Sequence, residues 1–247
     1  MTEIPKDKLP IPNGWNTDDL SDFIHQSMYN VFATFDSKKS EYKLLKDIDA
    51  IYQKAIDYFL NTPSFLPAMF FLRAHSAYRG ACRLSMSGQI PETFVLLRSC
   101  IENGLYALHV FKNKVAEEIW VGRHDDEQSL KKTKGEFATW KVMKTLQGID
   151  EWLYKVTSQL YENTIDWGAH PNERAISSSM KIIKEENKTE FKQLYLSGDT
   201  PQLAFGLKST ARVGLCSLFI FRHIFRERFD LISISEEMKT FKVILTQ

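Results

Sequence analysis

The chain has 247 residues, 32 Lys and Arg against 31 Asp and Glu, a formal charge of +1, and 43% hydrophobic, 13% aromatic and 26% charged residues. Eleven glycines and eight prolines leave these two types well below their usual share of roughly 12%. Such a composition excludes a disordered, collagen-like or strongly basic nucleic-acid-binding chain, and the length allows one core that buries about 70% of the unfolded surface.

Helical periodicity dominates. A first helix is predicted from about Thr17 to Phe35, with Asp18 and Asp19 favourable near its N-terminus. A second runs from about Glu41 to Leu60 and carries Leu44, Leu45, Ile48, Ile51, Tyr52, Ala55 and Phe59 on one face. Thr62-Pro63 reads as N-cap and first helical residue, and Ser87-Gly88 as the stop. The segment between them, Ser64–Met86, is apolar nearly all round, as is Glu92–Phe111 after Pro91. Helices without a polar face are buried among others, and the short Gly-Gln-Ile-Pro link makes these two an antiparallel hairpin.

Amphipathic helices follow near Lys114–Arg123, Gln128–Leu146 and Asp150–Ile165, then a loop at Asp166–Asn172. Ile176–Ile183 and Thr189–Leu196 alternate with period two and read as a β-hairpin. Thr200-Pro201 opens a last long helix reaching about Phe229, and the tail from Ser233 is compatible with a short helix. The expected fold is all-α. It is a multi-helix bundle in one domain over 1–247, with seven to nine helices, a central antiparallel helical hairpin, a flexible arm at 1–16 and a small late β-hairpin insert at 174–197.

Cys82, Cys100 and Cys216 each sit in an apolar helical stretch and form no CxxC, which reads as three reduced core thiols. Met1–Asn16 is polar and Pro-rich without an apolar h-region. The longest apolar runs, Phe65–Leu72 and Leu215–Phe221, fall short of the ~18–20 residues of a spanning helix. A cytoplasmic protein with no membrane partner is therefore expected.

The chain contains no GxGxxG, GxxxxGK[ST], HExxH, Glu-x-x-His or GxSxG. No cofactor and no metal are indicated, and His124-Asp125-Asp126-Glu127 reads as a solvated helix terminus rather than a metal site. The informative feature is charge inside apolar helices. Arg98 and Glu102, four residues apart, share a face with Phe94, Leu105 and His109. The neighbouring helix places His75, Arg79 and Arg83 at i, i+4 and i+8. A desolvated ion must be paired. Either Arg98 and Glu102 form a pair that pins helix register, or Arg79 and Arg98 hold a phosphate or carboxylate above Glu102. A second feature is His170, at a helix–loop junction, where an imidazole can act as acid or base or simply cap the helix.

Gly-Gln-Ile-Pro-Glu-Thr-Phe-Val-Leu-Leu-Arg-Ser-Cys-Ile-Glu-Asn at 88–103, followed by Trp-Gly-Ala-His-Pro-Asn at 167–172, resembles bacterial all-α proteins at the distant edge of the HEPN superfamily. The resemblance spans about 90–230. It implies a helical bundle, a homodimer, and a place in toxin–antitoxin, phage-defence or RNA-cleaving systems. Active members carry Arg, four to six residues, then His. His170 matches that His, whereas the Arg would fall at Asn163, Thr164 or Ile165, none of which supplies a guanidinium. Arg98 or Arg174 would have to replace it in space. The candidate residues are thus His170 for catalysis and Arg79, Arg98, Glu102 and Asn163 for ligand binding. Three readings stand: a HEPN-like binding or interaction module of a defence or stress system, with RNA, a nucleotide or a protein as partner; a metal-independent ribonuclease using His170; and a small-anion or nucleotide pocket between the buried helices. Lys131, Lys132, Lys134, Lys141 and Lys144, on or near one helix, are either a basic face or only a solvated one.

Overall fold

Local side-chain chemistry starts five of the helices among the described residues. The Asp18 carboxylate accepts the backbone N–H groups of Leu20 and Ser21 at 3.0 and 2.9 Å and opens α1 (Asp19–Ser37). α2 (Lys39–Asp57), α3 (Phe65–Ser87) and α4 (Ile90–Lys112) follow, α4 with Pro91 in its first turn. Asn113 caps α5 (Lys114–Val121), Asp126 caps α6 (Glu127–Glu136), α7 is Thr139–Gln147, and Asp150 caps α8 (Glu151–Thr164). A π-type turn over Ile165–Ala169 leads to α9 (Glu173–Ser177), β1 (Met180–Glu185) and β2 (Lys188–Gln193). Thr200 caps α10 (Pro201–Arg222), and α11 (Arg226–Leu231) and α12 (Ile234–Thr240) complete the order. The computed structural model describes residues 11–59, 65–169, 171, 173–177, 179–185 and 188–246. The predicted Thr62-Pro63 start, His170 and residues 1–10 of the predicted arm lie outside these.

The all-α expectation is met, with one two-stranded antiparallel sheet. α3 and α4 form the expected antiparallel hairpin: Phe70 lies by Tyr106, and Gly80 by Leu96. Helices number twelve among the described residues rather than seven to nine, because two predicted helices break and α9 forms where the insert was predicted to begin. The predicted helix Gln128–Leu146 is interrupted at Phe137, whose ring packs 4.9 Å from both Tyr106 and Trp120 while its carbonyl accepts the Tyr106 hydroxyl at 3.2 Å. The predicted helix from Thr200 to Phe229 stops at Arg222. There the chain bends so that Phe225 meets Phe59 at 4.7 Å and Phe229 is buried beside Phe71. The late insert is also narrower than 174–197. Residues 173–177 are helical, and the Ser179 hydroxyl and carbonyl, bonded to Ile176 and Leu194, start the strand pairing at Met180↔Gln193.

α10 is the axle of the bundle. Every residue from Ala211 to Phe221 is buried, facing Tyr78 of α3, Cys100 of α4, Thr157 of α8 and Tyr52 of α2. By length and composition it is apolar enough to cross a membrane, but 78% of its apolar window is buried inside the bundle, as in a core helix. Cys216 of α10 and Cys100 of α4 lie in the core and Cys82 is half-buried, all three free. Burial pushes the Cys82 and Cys216 thiols up to about 12 and Cys100 to about 11. Because the thiolate is the reactive form, native protein at pH 8 is expected to resist Ellman's reagent over minutes. Denatured protein should then release three equivalents, and one fast native thiol would refute this account.

Candidate functional site

Two amphipathic helices create the principal cleft. α7 and α8 run antiparallel, with Thr139 Oγ1 3.2 Å from the Tyr161 hydroxyl and Ser158 4.0 Å from the Met143 sulfur. Trp140, Met143, Lys144 and Gln147 line one wall, and Tyr154, Ser158, Tyr161 and Glu162 the other. Both sets follow the i, i+3, i+4 spacing of a single helix face. Arg98 of α4 completes the cleft, whose volume is ≈ 770 Å³, within the range typical of small-molecule sites.

At its floor the Arg98 Nε–H donates to Glu102 Oε1 at 2.9 Å, and the Tyr161 hydroxyl donates to the same oxygen at 3.1 Å. With that proton given to Glu102, the Thr139 hydroxyl donates to the Tyr161 oxygen. The Arg98 guanidinium also sits 5.1 Å above the Tyr161 ring. Burial pushes the Tyr161 phenol upward, so it stays protonated. On the rim, Trp140 is 65% exposed, with the Lys141 ammonium over its ring at 5.7 Å from the ring centre while it bonds Glu136 at 3.1 Å. The cleft thus combines an exposed indole with two cations, Arg98 and Lys144, and one carboxylate, Glu162.

The predicted site residues do not converge. Arg98 and Glu102 form the expected i, i+4 pair, half-buried rather than sealed in the core. Arg79 does not join Arg98 above Glu102. Its Nε and Nη2 donate to the two Asp49 oxygens, both at 2.8 Å, and it lines a separate hollow of ≈ 170 Å³ with Leu45, Asp49 and Cys82. His75 bonds the same Asp49 at 2.7 Å. The Arg79 charge is therefore met by Asp49 of α2. Arg174 pairs with Asp166 at 2.9 Å. Asn163 is half-buried on α8 but does not line the cleft. His170 lies outside the described residues. The lysine run is divided between α6 and α7, so it is not the face of one helix: Lys131 pairs with Glu127, and only Lys144 lines the cleft.

Trp140, Tyr154, Ser158 and Gln147 escaped sequence reasoning. Their signal was the second face of two amphipathic helices, which becomes a wall only when the helices fold against each other. Asp126, from the acidic stretch at 124–127, accepts the Ser129 N–H at 2.6 Å as a helix cap, and among the described residues no group of three His, Cys, Asp or Glu could hold a metal ion. Compared with known protein families, curated proteins and solved structures, the chain matches none.

Proposed function

We propose that this protein is a cytoplasmic, HEPN-like binding module whose cleft between α7 and α8 takes a small aromatic anion of the nucleotide class. The observation that carries this reading is the exposed indole of Trp140 on a ≈ 770 Å³ cleft that Arg98 and Lys144 also line. An aromatic base stacks on an open indole, and such a contact contributes about 1–3 kcal/mol. A phosphate or carboxylate is drawn to Arg98 and Lys144. Glu162, on the opposite wall, accepts hydrogen bonds from ring or amino N–H groups. Ligands with like charges crowded at both ends are thereby disfavoured.

Titration calorimetry with a panel of nucleoside monophosphates tests this. At least one is expected to bind, and Trp140→Ala should weaken it about tenfold or more, in line with the loss of one stacked base. Lys144→Ala should weaken it less, and the more so at low salt. A panel that gives no heat, or binding undiminished in Trp140→Ala, would refute the proposal.

A further inference from the structure

The anomaly of the core is Arg212. It is 9% exposed, its Nε is buried without a hydrogen-bond partner, and no ion pair or ring contact reaches it among the described residues. Its surroundings are desolvating, and burial draws its pKa below the usual arginine value, with Cys216 the one titratable group acting on it among the described residues. An unpaired buried cation is among the more expensive features a fold can carry, and each such group calls for a partner.

The packing of α8 on α10 places Arg212. Three contacts fix an antiparallel register: Thr157 Oγ1 to Cys216 Sγ at 3.3 Å, Trp152 to Phe219 at 6.4 Å, and Asp150 Oδ2 to His223 Nε2 at 3.2 Å. One turn before Cys216, Arg212 lies level with residues 160–161 of α8. At 100° per residue, Lys208, Arg212 and Phe219 fall within about 40° of one another on α10, as do Trp152, Gln159 and Asn163 on α8. The Phe219–Trp152 contact shows that these two flanks meet along one side of the seam, away from the α7 cleft.

Lys208 is exposed and has no ion pair among the described residues, and half-buried Asn163 has no hydrogen-bond partner among them. Two cations at i and i+4 repel each other.

We infer that the α8–α10 seam is an anion site, in which Arg212 and Lys208, with the Asn163 amide, receive a phosphate group. A tetrahedral oxyanion supplies the counter-charge and accepts from guanidinium, ammonium and amide N–H together. This site is separate from the α7–α8 cleft and stands without it.

Thermal melts of the full chain in sodium phosphate, against sodium chloride of equal ionic strength, test the assignment. Phosphate is expected to raise the wild-type Tm by roughly 3 °C or more at tenfold excess over Kd. In chloride, Arg212→Met should melt at or above wild type, because it removes an unpaired charge, and its phosphate response should vanish. Lys208→Met, on the surface, should keep the wild-type Tm in chloride and bind phosphate at least threefold more weakly. Adenosine monophosphate, with adenosine as control, identifies the source. Measured in Trp140→Ala, which lacks the stacking face of the α7–α8 cleft, a shift from the ester that exceeds that from the free ion assigns the phosphate to a nucleotide, and equal shifts assign it to the ion. A wild-type response no greater in phosphate than in chloride, or an undiminished response in Arg212→Met, overturns the site. Should Arg212→Met fail to fold, an unchanged response in Lys208→Met overturns it. Trp140→Ala is expected to leave the free-phosphate shift intact, which separates this site from the nucleotide cleft.

Discussion

Gly88→Ala is expected to destabilise the protein by about 2–4 kcal/mol, measured by urea unfolding at constant m. Gly88 ends α3 with φ +83°, a left-handed conformation that costs a non-glycine residue about 1–2 kcal/mol. A methyl group there would also run into the Ser197 backbone, whose N–H donates to the Gly88 carbonyl at 2.9 Å. The same junction holds α1, because the Asn30 amide donates to the Ser87 carbonyl at 3.0 Å. Relief of the clash therefore has to move the α3–α4 turn, the strand exit and α1 together. Gly135→Ala is the control: nothing lies within 4 Å of the added carbon in α6, and the change should be neutral or stabilising by up to about 1 kcal/mol. Equal effects at the two positions would sink this account of the junction.

Asp49→Ala should remove a similar amount, about 2–4 kcal/mol, below the upper end for a fully buried pair because Arg79 is partly exposed. Among the described residues, Asp49 is the one acceptor that the Arg79 fork and the His75 Nε2–H share. His75 is 5% exposed and stacks on the Tyr52 ring at 4.9 Å, so its N–H would be left without a partner in the core. Burial by itself would raise the Asp49 pKa, but the hydrogen bonds and charges of Arg79 and His75 overcome it and hold the carboxyl well below the ordinary range. The folded pKa thus lies below the unfolded one, near 3.9. The stability it contributes is present in full above about pH 5 and is lost as pH falls through the unfolded value toward the depressed folded one. Wild type should lose stability between about pH 5 and pH 2, and Asp49→Asn should show a shallower loss over that window. Parallel profiles for the two proteins would rule out this pair as the acid-sensitive link.

The helices were legible because each carries its own signal. Asp18, Asn113, Asp150 and Thr200 cap within three residues, Gly88 and Pro91 punctuate the hairpin, and the nearly all-apolar α3, α4 and α10 declare themselves as interior. The breaks at Phe137 and His223 were not legible. Nothing local forbids a helix there, and the aromatic pockets that draw Phe137 and Phe225 out of line are built by α4, α5 and the α2–α3 end. Of the candidate site, Arg98 and Glu102 were visible as an i, i+4 pair, whereas Trp140, Tyr154 and Ser158 were not, since a cleft is a property of two helices.

By itself the sequence determined that the chain is helical, where its apolar faces run and that charged groups are set into them, because periodicity and caps act over a few residues. Only the tertiary structure decided which charges meet. Arg79 answers to Asp49, 30 residues away, Arg98 closes on Glu102 and Tyr161, and Arg212 is buried with no counter-charge among the described residues. Helix docking selects each partner from all the carboxylates of the chain, and the energy of a buried ion depends on that selection rather than on its neighbours in sequence.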